Sequence, residues 1–506
     1  MFKHSPILSA VWTHAETVPD KAALVWDDET VTYAQLRQRI EVAAQYLRSK
    51  GIGIGDRLGI VAKKGLDFVY LYFAGQLIGA VNVVLDPEAN EKRLEYIKEM
   101  TKPKFIAGGG GELFDCLSSQ DCLIDREGTA HMPERLNNQT ISNQTIKQSQ
   151  IKQSNNISLT PDSAAEIVFT TGTTGAAKGV VLTHANIYGS ASNINSFIGN
   201  GSDEVEILGL PLCHSFGLGR LRCTLLKGAT LVVLPNFANV KAFFAAIEKY
   251  HATGFGMVPA IWAYIRKISG KRIAKYAPQI KYIEIGSAAM PIESKKELCE
   301  LFPTTRICHH YGLTEASRAT FMEYHECIDD LMTIGREASD QVSIKIFNEQ
   351  GVEVPDGESG EMCVKGNMVT KGYLKPEDNA NAFFGAYFRT GDGGYRAANG
   401  NLYLVSRLKE LINVGGKKVS PVEVEDAIIA LGVEDCVVVG VPDPDGILGE
   451  VPKCYVLKGG TGLTFDGIRH ALTDKIESYK IPAVWEWIDV IPKTASGKKQ
   501  RLQLKD

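Results

Sequence analysis

Short apolar segments alternate with helical segments along most of this chain. The segments AEIVF, ATLVVL and YIEIG have the length and apolar character of buried strands, and helical stretches separate them. Strands that are apolar on both faces are typical of parallel sheets covered by helices on each side. The alternation therefore predicts a layered, mainly parallel α/β architecture.

Two segments near the N-terminus predict helices of these layers. In TYAQLRQRIEVAAQYLRSKG, Thr32 and Gln35 have the spacing of a capping box, and Gly51 can end the helix in a left-handed turn. The apolar stretch Leu66–Leu85 is long enough to cross a bilayer, but polar residues interrupt it and Gly79 divides it. It predicts a buried helix followed by a buried strand, so we expect no membrane span.

The sequence pattern changes from about residue 340. VSIKIF, GEMCVKG and NLYLV predict short antiparallel strands of a small β-barrel-like subdomain. Further on, Ser420 as cap and Pro421 at the first position begin a helix that Gly432 follows. We therefore predict a large N-terminal domain over residues 1–406, made of layered α/β subdomains and the β-barrel-like one. A small α+β C-terminal domain would cover residues 407–506.

Residues 137–156, NNQTISNQTIKQSQIKQSNN, form a short tandem repeat in which NQTI and IKQS each occur twice. The segment is rich in Asn and Gln and has too few apolar groups to form a core. We interpret it as a low-complexity surface insertion with no catalytic role. A docking segment is the alternative.

Composition narrows the classes of function. The net charge of −4, from 55 basic and 59 acidic residues, gives no reason to expect a nucleic-acid partner. The ten cysteines are scattered without a C-x-x-C pair, which argues against a disulfide framework or a structural zinc site. The N-terminal residues also lack the basic-then-apolar pattern of a signal peptide. We therefore expect a cytoplasmic protein in a reducing compartment.

The stretch TTGTTGAAKG, residues 170–179, follows the predicted strand AEIVF and combines hydroxyls, glycines and one lysine. Glycines let backbone N–H groups converge on one point, threonine hydroxyls add donors, and Lys178 adds a positive charge. This combination suits a phosphate chain. It is not a Walker A loop, because Ala177 precedes the lysine and Gly179 follows it. Taken alone, such a loop could equally be a flexible turn.

Six further unusual stretches follow in order along the chain. They are PLCHSFGLG with His214; IGSAAMP with Gly286, Ser287, Ala288 and Ala289; HHYGLTEAS with Tyr311, Gly312, Thr314 and Glu315; YFRTGDGGY with Asp392; VSRLKELINVGGKKVSPVEVE with Arg407, Lys409, Gly415 and Gly416; and PKTASGKKQR with Lys498. The bare backbone of IGSAAMP is able to lie against a flat ring.

In their order and spacing, these stretches resemble the adenylate-forming superfamily, which includes the acyl-CoA synthetases, the adenylation domains of peptide synthetases and firefly luciferase. The resemblance extends from about Thr32 to Arg501 and is closest to the AMP-forming acyl-CoA synthetases. It implies a ligase that uses ATP to convert a small carboxylic acid to acyl-AMP, with release of pyrophosphate. The acyl group then passes to a thiol, that of CoA by default. The resemblance also implies Mg²⁺ as a cofactor and a mobile C-terminal domain that rotates between two poses.

For the nucleotide, the resemblance assigns a role to several stretches. The β- and γ-phosphates would be held by the loop of Thr170, Thr171, Gly172, Thr173, Thr174, Gly175 and Lys178. The adenine slot would be formed by Gly286, Ser287, Ala288 and Ala289 together with Tyr311 and Gly312. Asp392 would accept hydrogen bonds from both ribose hydroxyls, and Arg407 would support it.

For catalysis, the resemblance makes Glu315 the Mg²⁺ ligand and lets Thr314 reach a phosphate oxygen. Lys498 would contact the α-phosphate and the substrate carboxylate, so its charge would offset the repulsion between two anions. His214 would gate the acyl pocket, or else be a core histidine. Lys409 takes the hinge position, and the pair Gly415–Gly416 leaves room for the pantetheine arm.

The chain departs from the family pattern at Thr171, where Ser is commoner, at Ala177, where Pro is commoner, and at Gly393, where a larger apolar residue is common. Thr171 keeps the hydroxyl, and Ala177 affects only the rigidity of the loop. Because the motifs around Lys498 and Gly415 are intact, we expect an active enzyme. A non-catalytic nucleotide-binding homologue is the alternative, and a luciferase-like oxygenase would differ only in the second step.

The acid and the acceptor stay open at this point. No Asp occurs between Pro211 and Lys227, where peptide-synthetase adenylation domains bind an α-amine, so an amino acid is disfavoured. Arg220, Arg222 and Arg318 are near the expected pocket in sequence, and one could pair with a second carboxylate; structural arginines are the alternative. A fatty, aromatic or dicarboxylic acid is therefore compatible. The phosphopantetheine of an acyl carrier protein is the alternative acceptor to CoA.

Overall fold

The computed structural model describes residues 5–108, 159–170, 177–407, 410–459, 462–494 and 498–504. Its helices are α1 Pro6–Thr17, α2 Tyr33–Ser49, α3 Leu66–Ile78, α4 Glu91–Thr101, α5 His184–Ile198, α6 Ser215–Lys227, α7 Val240–Tyr250, α8 Pro259–Ser269, α9 Ile292–Leu301, α10 Pro421–Ile429 and α11 Phe465–Leu472. Its strands are β1 Ala22–Trp26, β2 Glu29–Thr32, β3 Arg57–Val61, β4 Val81–Leu85, β5 Phe105–Ala107, β6 Ala164–Phe169, β7 Gly179–Thr183, β8 Val205–Leu208, β9 Thr230–Val233, β10 Gly254–Met257, β11 Tyr282–Ile285, β12 Arg306–Tyr311, β13 Thr320–Glu323, β14 Arg336–Glu337, β15 Val342–Phe347, β16 Gly360–Gly366, β17 Phe383–Phe384, β18 Tyr387–Arg396, β19 Leu402–Arg407, β20 Ile412–Val414, β21 Lys417–Val419, β22 Cys436–Pro442, β23 Glu450–Leu457 and β24 Val484–Ile488.

The largest sheet has nine strands in the order β14-β13-β12-β11-β10-β8-β9-β1-β2. Its centre, from β12 to β1, is parallel, and antiparallel strands complete both ends. The strands predicted in ATLVVL and YIEIG are β9 and β11 of this sheet. The predicted parallel α/β architecture is therefore confirmed.

A second sheet has five strands in the order β5-β3-β4-β6-β7, all parallel except β7. The predicted strand AEIVF is β6, and the Thr/Gly-rich stretch connects β6 to its antiparallel neighbour β7. This stretch thus begins where a parallel strand ends.

Apolar helices fill the space between the two sheets. α3 packs on β3 and β4, α6 packs on β8 and β9, and α1 contacts both helices. α3 is buried along nearly its whole length, as its sequence LDFVYLYFAGQLI requires, and Gly79 follows it with φ 77°. The prediction of a buried helix followed by a buried strand over Leu66–Leu85 is confirmed. Among the described residues, no helix is long and apolar enough to cross a membrane.

The predicted helix ends are also present. Thr32 Oγ1 accepts a hydrogen bond from the N–H of Gln35 at 3.3 Å, and the N–H of Thr32 donates to Gln35 Oε1 at 2.9 Å, which completes the capping box of α2. Gly51 follows α2 with φ 78°. In the C-terminal part, the side chain of Ser420 caps α10, and Gly432 has φ 94° shortly after the helix ends.

The five strands β15 to β19 form an antiparallel sheet in which β18 pairs with β16, β17 and β19. VSIKIF, GEMCVKG and NLYLV are β15, β16 and β19, as predicted. This half-barrel is the predicted β-barrel-like subdomain.

Residues after Arg407 fold around a core of their own. The hairpin β20–β21, the sheet β22-β23-β24 and the helices α10 and α11 belong to it. This core extends from Ile412 to Leu472, whereas the core of the preceding residues ends at Leu402. A large α/β part is thus followed by a small α+β part, but the boundary between residues 406 and 407 stays a prediction. The tandem repeat at 137–156 and the hinge residue Lys409 lie outside the described residues.

Candidate active site

Four of the predicted functional stretches follow the carboxyl ends of parallel strands. His214 lies after β8, Gly286 follows β11, Gly312 follows β12, and the Thr/Gly-rich loop follows β6 of the second sheet. The carboxyl ends of parallel strands share one edge of a sheet, which is where ligands of open α/β sheets bind. Topology therefore brings segments that are far apart in sequence to common edges.

Hydrogen bonds join the two ends of the Thr/Gly-rich loop. The N–H of Thr170 donates to the Lys178 carbonyl at 3.0 Å, and the N–H of Lys178 donates to Thr170 Oγ1 at 3.1 Å. Lys178 Nζ lies 3.2 Å from Asp378 Oδ1 and 4.6 Å from the ring centroid of Tyr373. Arg93 donates to the Thr170 carbonyl at 3.0 Å, so a second cation flanks the loop.

The central residues of this loop lie outside the described part of the chain. They include the predicted phosphate ligands Thr171, Gly172, Thr173, Thr174 and Gly175. No sequence pattern marks Arg93, Tyr373 or Asp378 as neighbours of the loop, because each comes from a distant segment.

The segment after β11 has a bare backbone. A Cβ atom on Gly286 would lie 2.0 Å from the ring of His310, so only glycine fits. Ser287 has φ 71°, a left-handed conformation that is uncommon for a residue with a side chain. The Ala288 carbonyl lies 3.2 Å from Nε2 of His309, and burial lowers the pKa of His309 to about 3, so this ring is neutral. Residues 286–289 thus form a strip of bare backbone after β11, and a strip held in this way suits a flat ring.

Asp392 lies opposite Arg407 in the register of β18 and β19. Asp392 is 3% exposed, and its carboxylate lies 2.7 Å from Arg407 Nε and accepts a hydrogen bond from the Tyr311 hydroxyl at 2.6 Å. Burial raises the pKa of Asp392, and the guanidinium and the phenol oppose that rise. Burial also raises the pKa of Tyr311 well above its usual value, so Tyr311 remains a donor at neutral pH. The structure thus brings three predicted site residues into contact.

Glu315 is half-buried in the segment after β12, next to Thr314. Its Oε1 atom accepts a hydrogen bond from the Tyr373 hydroxyl at 2.7 Å, and its carbonyl accepts one from the N–H of Thr370 at 2.8 Å. The first bond orients the carboxylate, and the second holds the backbone of Glu315. Carboxylate oxygens are the ligands that Mg²⁺ prefers, so Glu315 fits the metal role that the resemblance implies.

His214 immediately precedes α6, and its imidazole does not cap the helix. A ring nitrogen of His214, the thiol of Cys213 and a carboxylate oxygen of Asp86 lie within 4.8 Å of one another. Burial lowers the pKa of His214, so the ring is neutral at pH 7, and burial raises the pKa of the Cys213 thiol to about 12. Because a protonated thiol is a poor metal ligand, we interpret the cluster as a polar wall beside the site.

Lys498 lies in a tight loop near the end of the chain. Its N–H donates to Thr494 Oγ1 at 3.1 Å, and its carbonyl accepts from the N–H of Thr494 at 2.8 Å. Burial lowers the pKa of Lys498 and Arg407 lowers it further, while Asp392 and Glu315 raise it. The charges of Asp392 and Glu315 thus act on the ammonium of Lys498, although Lys498 belongs to the C-terminal part.

Ion pairs anchor the loop of Lys498 to α10. Glu425 Oε2 accepts from Lys499 Nζ at 2.9 Å and from Arg501 Nη2 at 2.9 Å. Arg501 Nη1 also donates to Glu410 at 2.8 Å. The basic residues around Lys498 are thus paired and hold the loop in place.

Gly415 and Gly416 form the two-residue turn of the hairpin β20–β21, with φ of 56° and 87°. A two-residue turn with two positive φ angles favours glycine at both positions. The turn therefore needs these glycines for its conformation, whether or not a pantetheine arm passes it. Among the contacts described for them, none joins this turn to the cluster around Asp392.

The three arginines considered for a second substrate carboxylate are held in buried ion pairs. Arg220 is 0% exposed and pairs with Glu284 at 3.0 Å. Arg318 pairs with the same carboxylate at 3.1 Å, and Arg222 is paired with Glu166. Buried ion pairs thus occupy all three guanidinium groups, which favours the structural alternative over direct binding of a second substrate carboxylate.

Loops that follow parallel strands of two sheets, together with a C-terminal part that has its own core, define an α/β protein whose candidate site lies at sheet edges. The family model described as AMP-binding enzyme matches residues 11–374, and the model of the AMP-binding enzyme C-terminal domain matches residues 423–498. The chain belongs to the AMP-binding enzyme family.

Relatives match over nearly the whole chain. A long-chain-fatty-acid–CoA ligase of Mycobacterium tuberculosis is 27% identical over 491 residues, which are 95% of this chain and 93% of the relative. An oxalate–CoA ligase of Arabidopsis thaliana is 29% identical, over 96% of this chain and 95% of the relative. The structure of o-succinylbenzoate CoA synthetase from Bacillus subtilis with its acyl-adenylate intermediate superposes with a TM-score of 0.82, at 25% identity, over 99% and 98% of the two chains.

The chain is therefore an AMP-forming acid–thiol ligase. It uses ATP to convert a small carboxylic acid to acyl-AMP, with release of pyrophosphate, and transfers the acyl group to CoA. The function predicted from the sequence is confirmed at this level.

Replacing Asp392 by Asn tests the proposed ribose contact. We expect the Kd of Mg·ATP to rise about 10- to 100-fold, since a hydrogen bond to a charged group contributes roughly 1.5–3 kcal/mol. Isothermal titration in the absence of acid measures this Kd. The matched control is Glu337→Gln, which removes a 2.6 Å ion pair with Arg396 at the far end of the same strand, β18. Equal Kd values for Asp392→Asn and Glu337→Gln would contradict the assignment.

Proposed function

We propose that Lys498 promotes adenylation by placing its ammonium between the α-phosphate of ATP and the carboxylate of the acid. The proposal is supported by the position of Lys498 in a tight loop anchored to α10, and by its pKa, which burial and Arg407 lower while Asp392 and Glu315 raise it. Acid and nucleotide are both anions, so positive charge is needed where they meet. Lys498 is the cation that the C-terminal part contributes there.

The remaining roles are those that the family resemblance implies. Lys178 and the loop that begins at Thr170 hold the β- and γ-phosphates, and the strip after β11, with Tyr311 and Gly312 beside it, holds adenine. Asp392, supported by Arg407, accepts the ribose hydroxyls. Glu315 would hold Mg²⁺, which supplies positive charge to the phosphates, and Thr314 donates to a phosphate oxygen. His214 borders the acyl pocket.

The C-terminal part acts as a lid in this proposal. Residues 407–506 would present the Lys498 loop for adenylation and, after a rotation about Lys409, the Gly415–Gly416 turn for thioester formation. The separate core of this part, which begins at Ile412, supports movement as one body.

The acid carries a single carboxylate in this proposal. The long-chain-fatty-acid–CoA ligase and the oxalate–CoA ligase show that relatives differ in this respect. In the described residues here, the arginines nearest to the pocket in sequence are held by Glu284 and Glu166. Burial also keeps His214 neutral. Because these groups have no free positive charge to offer a second carboxylate, a fatty or aromatic acid fits best.

CoA is the acceptor that acid–thiol ligases of this class use. The phosphopantetheine of a carrier protein stays an alternative, because it ends in the same pantetheine arm as CoA. A cytoplasmic location is part of the proposal. The eight cysteines that the structure describes are free thiols, which suits a reducing compartment.

Replacing Lys498 by Ala separates the two half-reactions. We expect adenylation to fall at least about 100-fold, because a preorganised charge that meets the transition state contributes roughly 3–4 kcal/mol. Thioester formation from supplied acyl-AMP should stay close to wild type. Pyrophosphate release and CoA-thioester formation are measured separately. Lys499→Ala, which removes a neighbouring cation paired with Glu425, is the control for damage to the loop. Equal loss of both half-reactions in Lys498→Ala would argue against a two-pose lid.

The pH profile provides a second test of Lys498. Its pKa in the free enzyme lies below the ordinary 10.5, and only the charged form neutralises anions. The kcat/KM of adenylation should therefore be full below the lowered pKa and fall as pH rises through it. Lys498→Arg keeps its proton at these pH values and should lack this fall, whatever its absolute rate. A wild-type profile that stays level up to the ordinary lysine value would contradict the role of Lys498.

A panel of acids tests the substrate class. Pyrophosphate release is measured with fatty, aromatic and dicarboxylic acids, each with CoA, with a holo carrier protein and without acceptor. We expect the highest kcat/KM for a monocarboxylic acid with CoA. A dicarboxylic acid as best substrate would refute the single-carboxylate proposal, and oxygen consumption without thioester would indicate luciferase-like chemistry.

A further inference from the structure

Arg318 combines a left-handed backbone with a buried guanidinium. Its φ is 56°, and its side chain is 1% exposed. A left-handed conformation is unfavourable for a residue with a side chain, so it persists only where surrounding contacts hold it, and such residues cluster at functional sites. Arg318 follows the metal-ligand candidate Glu315 in the same segment after β12.

The guanidinium of Arg318 reaches from this segment to the first turn of α6. Nη1 donates to the Ser215 carbonyl at 2.8 Å, and Nη2 donates to the Phe216 carbonyl at 3.1 Å. The guanidinium carbon also lies 4.9 Å from the ring centroid of Phe216. Because Ser215 directly follows His214, these contacts fix the backbone beside the acyl pocket.

Glu284 holds the same guanidinium from the side of the adenine strip. Arg318 Nε donates to Glu284 Oε1 at 3.1 Å. That oxygen also lies 2.8 Å from Nδ1 of His310, although the ring is poorly aligned for a hydrogen bond. The His310 ring occupies the space next to Gly286, where a Cβ atom would approach within 2.0 Å. Arg318 is thus connected to the strip assigned to adenine.

Two glycines make room for Arg318. A Cβ atom on Gly219 of α6 would lie 2.5 Å from Nη1 of Arg318, and one on Gly312 would lie 2.4 Å from the backbone nitrogen of Arg318. Both approaches are too close for any side chain. The backbones of α6 and of the segment after β12 therefore pack closely against Arg318.

We propose that Arg318, held by Glu284, is a positioning residue for adenylation that fixes the metal-binding segment, the adenine strip and the start of α6 relative to one another. The inference rests on the proposed function of those three segments. Arg318 touches no substrate itself. Because one guanidinium contacts elements on the nucleotide side and on the acyl side, a shift at Arg318 changes both sides together. Its loss should weaken the binding of ATP and of the acid at once.

The test compares Arg318→Lys and Arg318→Met with Arg222→Lys and Arg222→Met. Arg222 is a matched control, since it is also buried, lies in α6 and is paired with a buried carboxylate, that of Glu166. For each variant, three quantities are measured: the thermal midpoint, the Kd of Mg·ATP by calorimetry without acid, and kcat with both KM values in pyrophosphate exchange. The acid is the best one from the panel.

We expect Arg318→Lys to raise the Kd of Mg·ATP and both KM values and to lower kcat, with a combined loss of about 10- to 100-fold, the range for removing a partner that orients functional groups. Arg222→Lys should lower the thermal midpoint about as much as Arg318→Lys does, but it should leave the kinetic constants within about twofold of wild type. The Met variants should show the same contrast more strongly. Should Arg318→Met fail to fold, Arg318→Lys decides, since it keeps the charge.

Two results would overturn the inference. One is an Arg318→Lys enzyme with a lower thermal midpoint but wild-type binding and kinetics, which would make Arg318 structural only. The other is a change in a single KM, which would indicate direct contact with one ligand. If the wild-type enzyme itself did not bind Mg·ATP, the proposed function would fail, and this inference would fail with it.

Discussion

A carboxylate and a triphosphate repel each other, and the placement of charge in this protein is organised around that repulsion. Lys178 and Arg93 flank the phosphate loop, and Arg407 is held by Asp392 on the half-barrel. Lys498 arrives from the C-terminal part and is partly desolvated where it lies, which lowers its pKa. Bound anions would restore favourable interactions to this ammonium. On the proposed function, the site therefore holds positive charge in the places where the two anions would gather.

Two kinds of arginine occur near this site, and burial tells them apart. The guanidinium groups of Arg220 and Arg318 share the fully buried carboxylate of Glu284 and cannot leave it for a ligand without leaving a buried charge unpaired. Arg407 is only partly covered, with 36% of its side chain exposed, and its partner Asp392 lies at the proposed ribose position. The fully buried pairs hold the backbone around the proposed site, whereas the guanidinium of Arg407 stays within reach of solvent.

Local features of this fold could be predicted from the sequence, and long-range contacts could not. The capping box of Thr32 and Gln35 depends on residues three apart, so the pattern alone is sufficient. The bond from Tyr373 to Glu315 joins distant segments without a motif. The same limit explains Arg318: in sequence it resembles any arginine near the pocket, and only its φ and its partner Glu284 reveal its surroundings.

The proposed lid must both reach the site and leave it, and the interface between the two parts agrees with that requirement. The two hydrophobic cores do not merge, since one ends at Leu402 and the other begins at Ile412. Where α10 approaches the larger part, Asp426 and Lys295 interact through their charges, and burial raises the pKa of Asp426 to about 6 and lowers that of Lys295 to about 8. The attraction between these two charges is weak enough to be given up, because burial costs each group part of its charged state. A polar contact of this kind favours a reversible pose, whereas a merged apolar core would fix the lid in place.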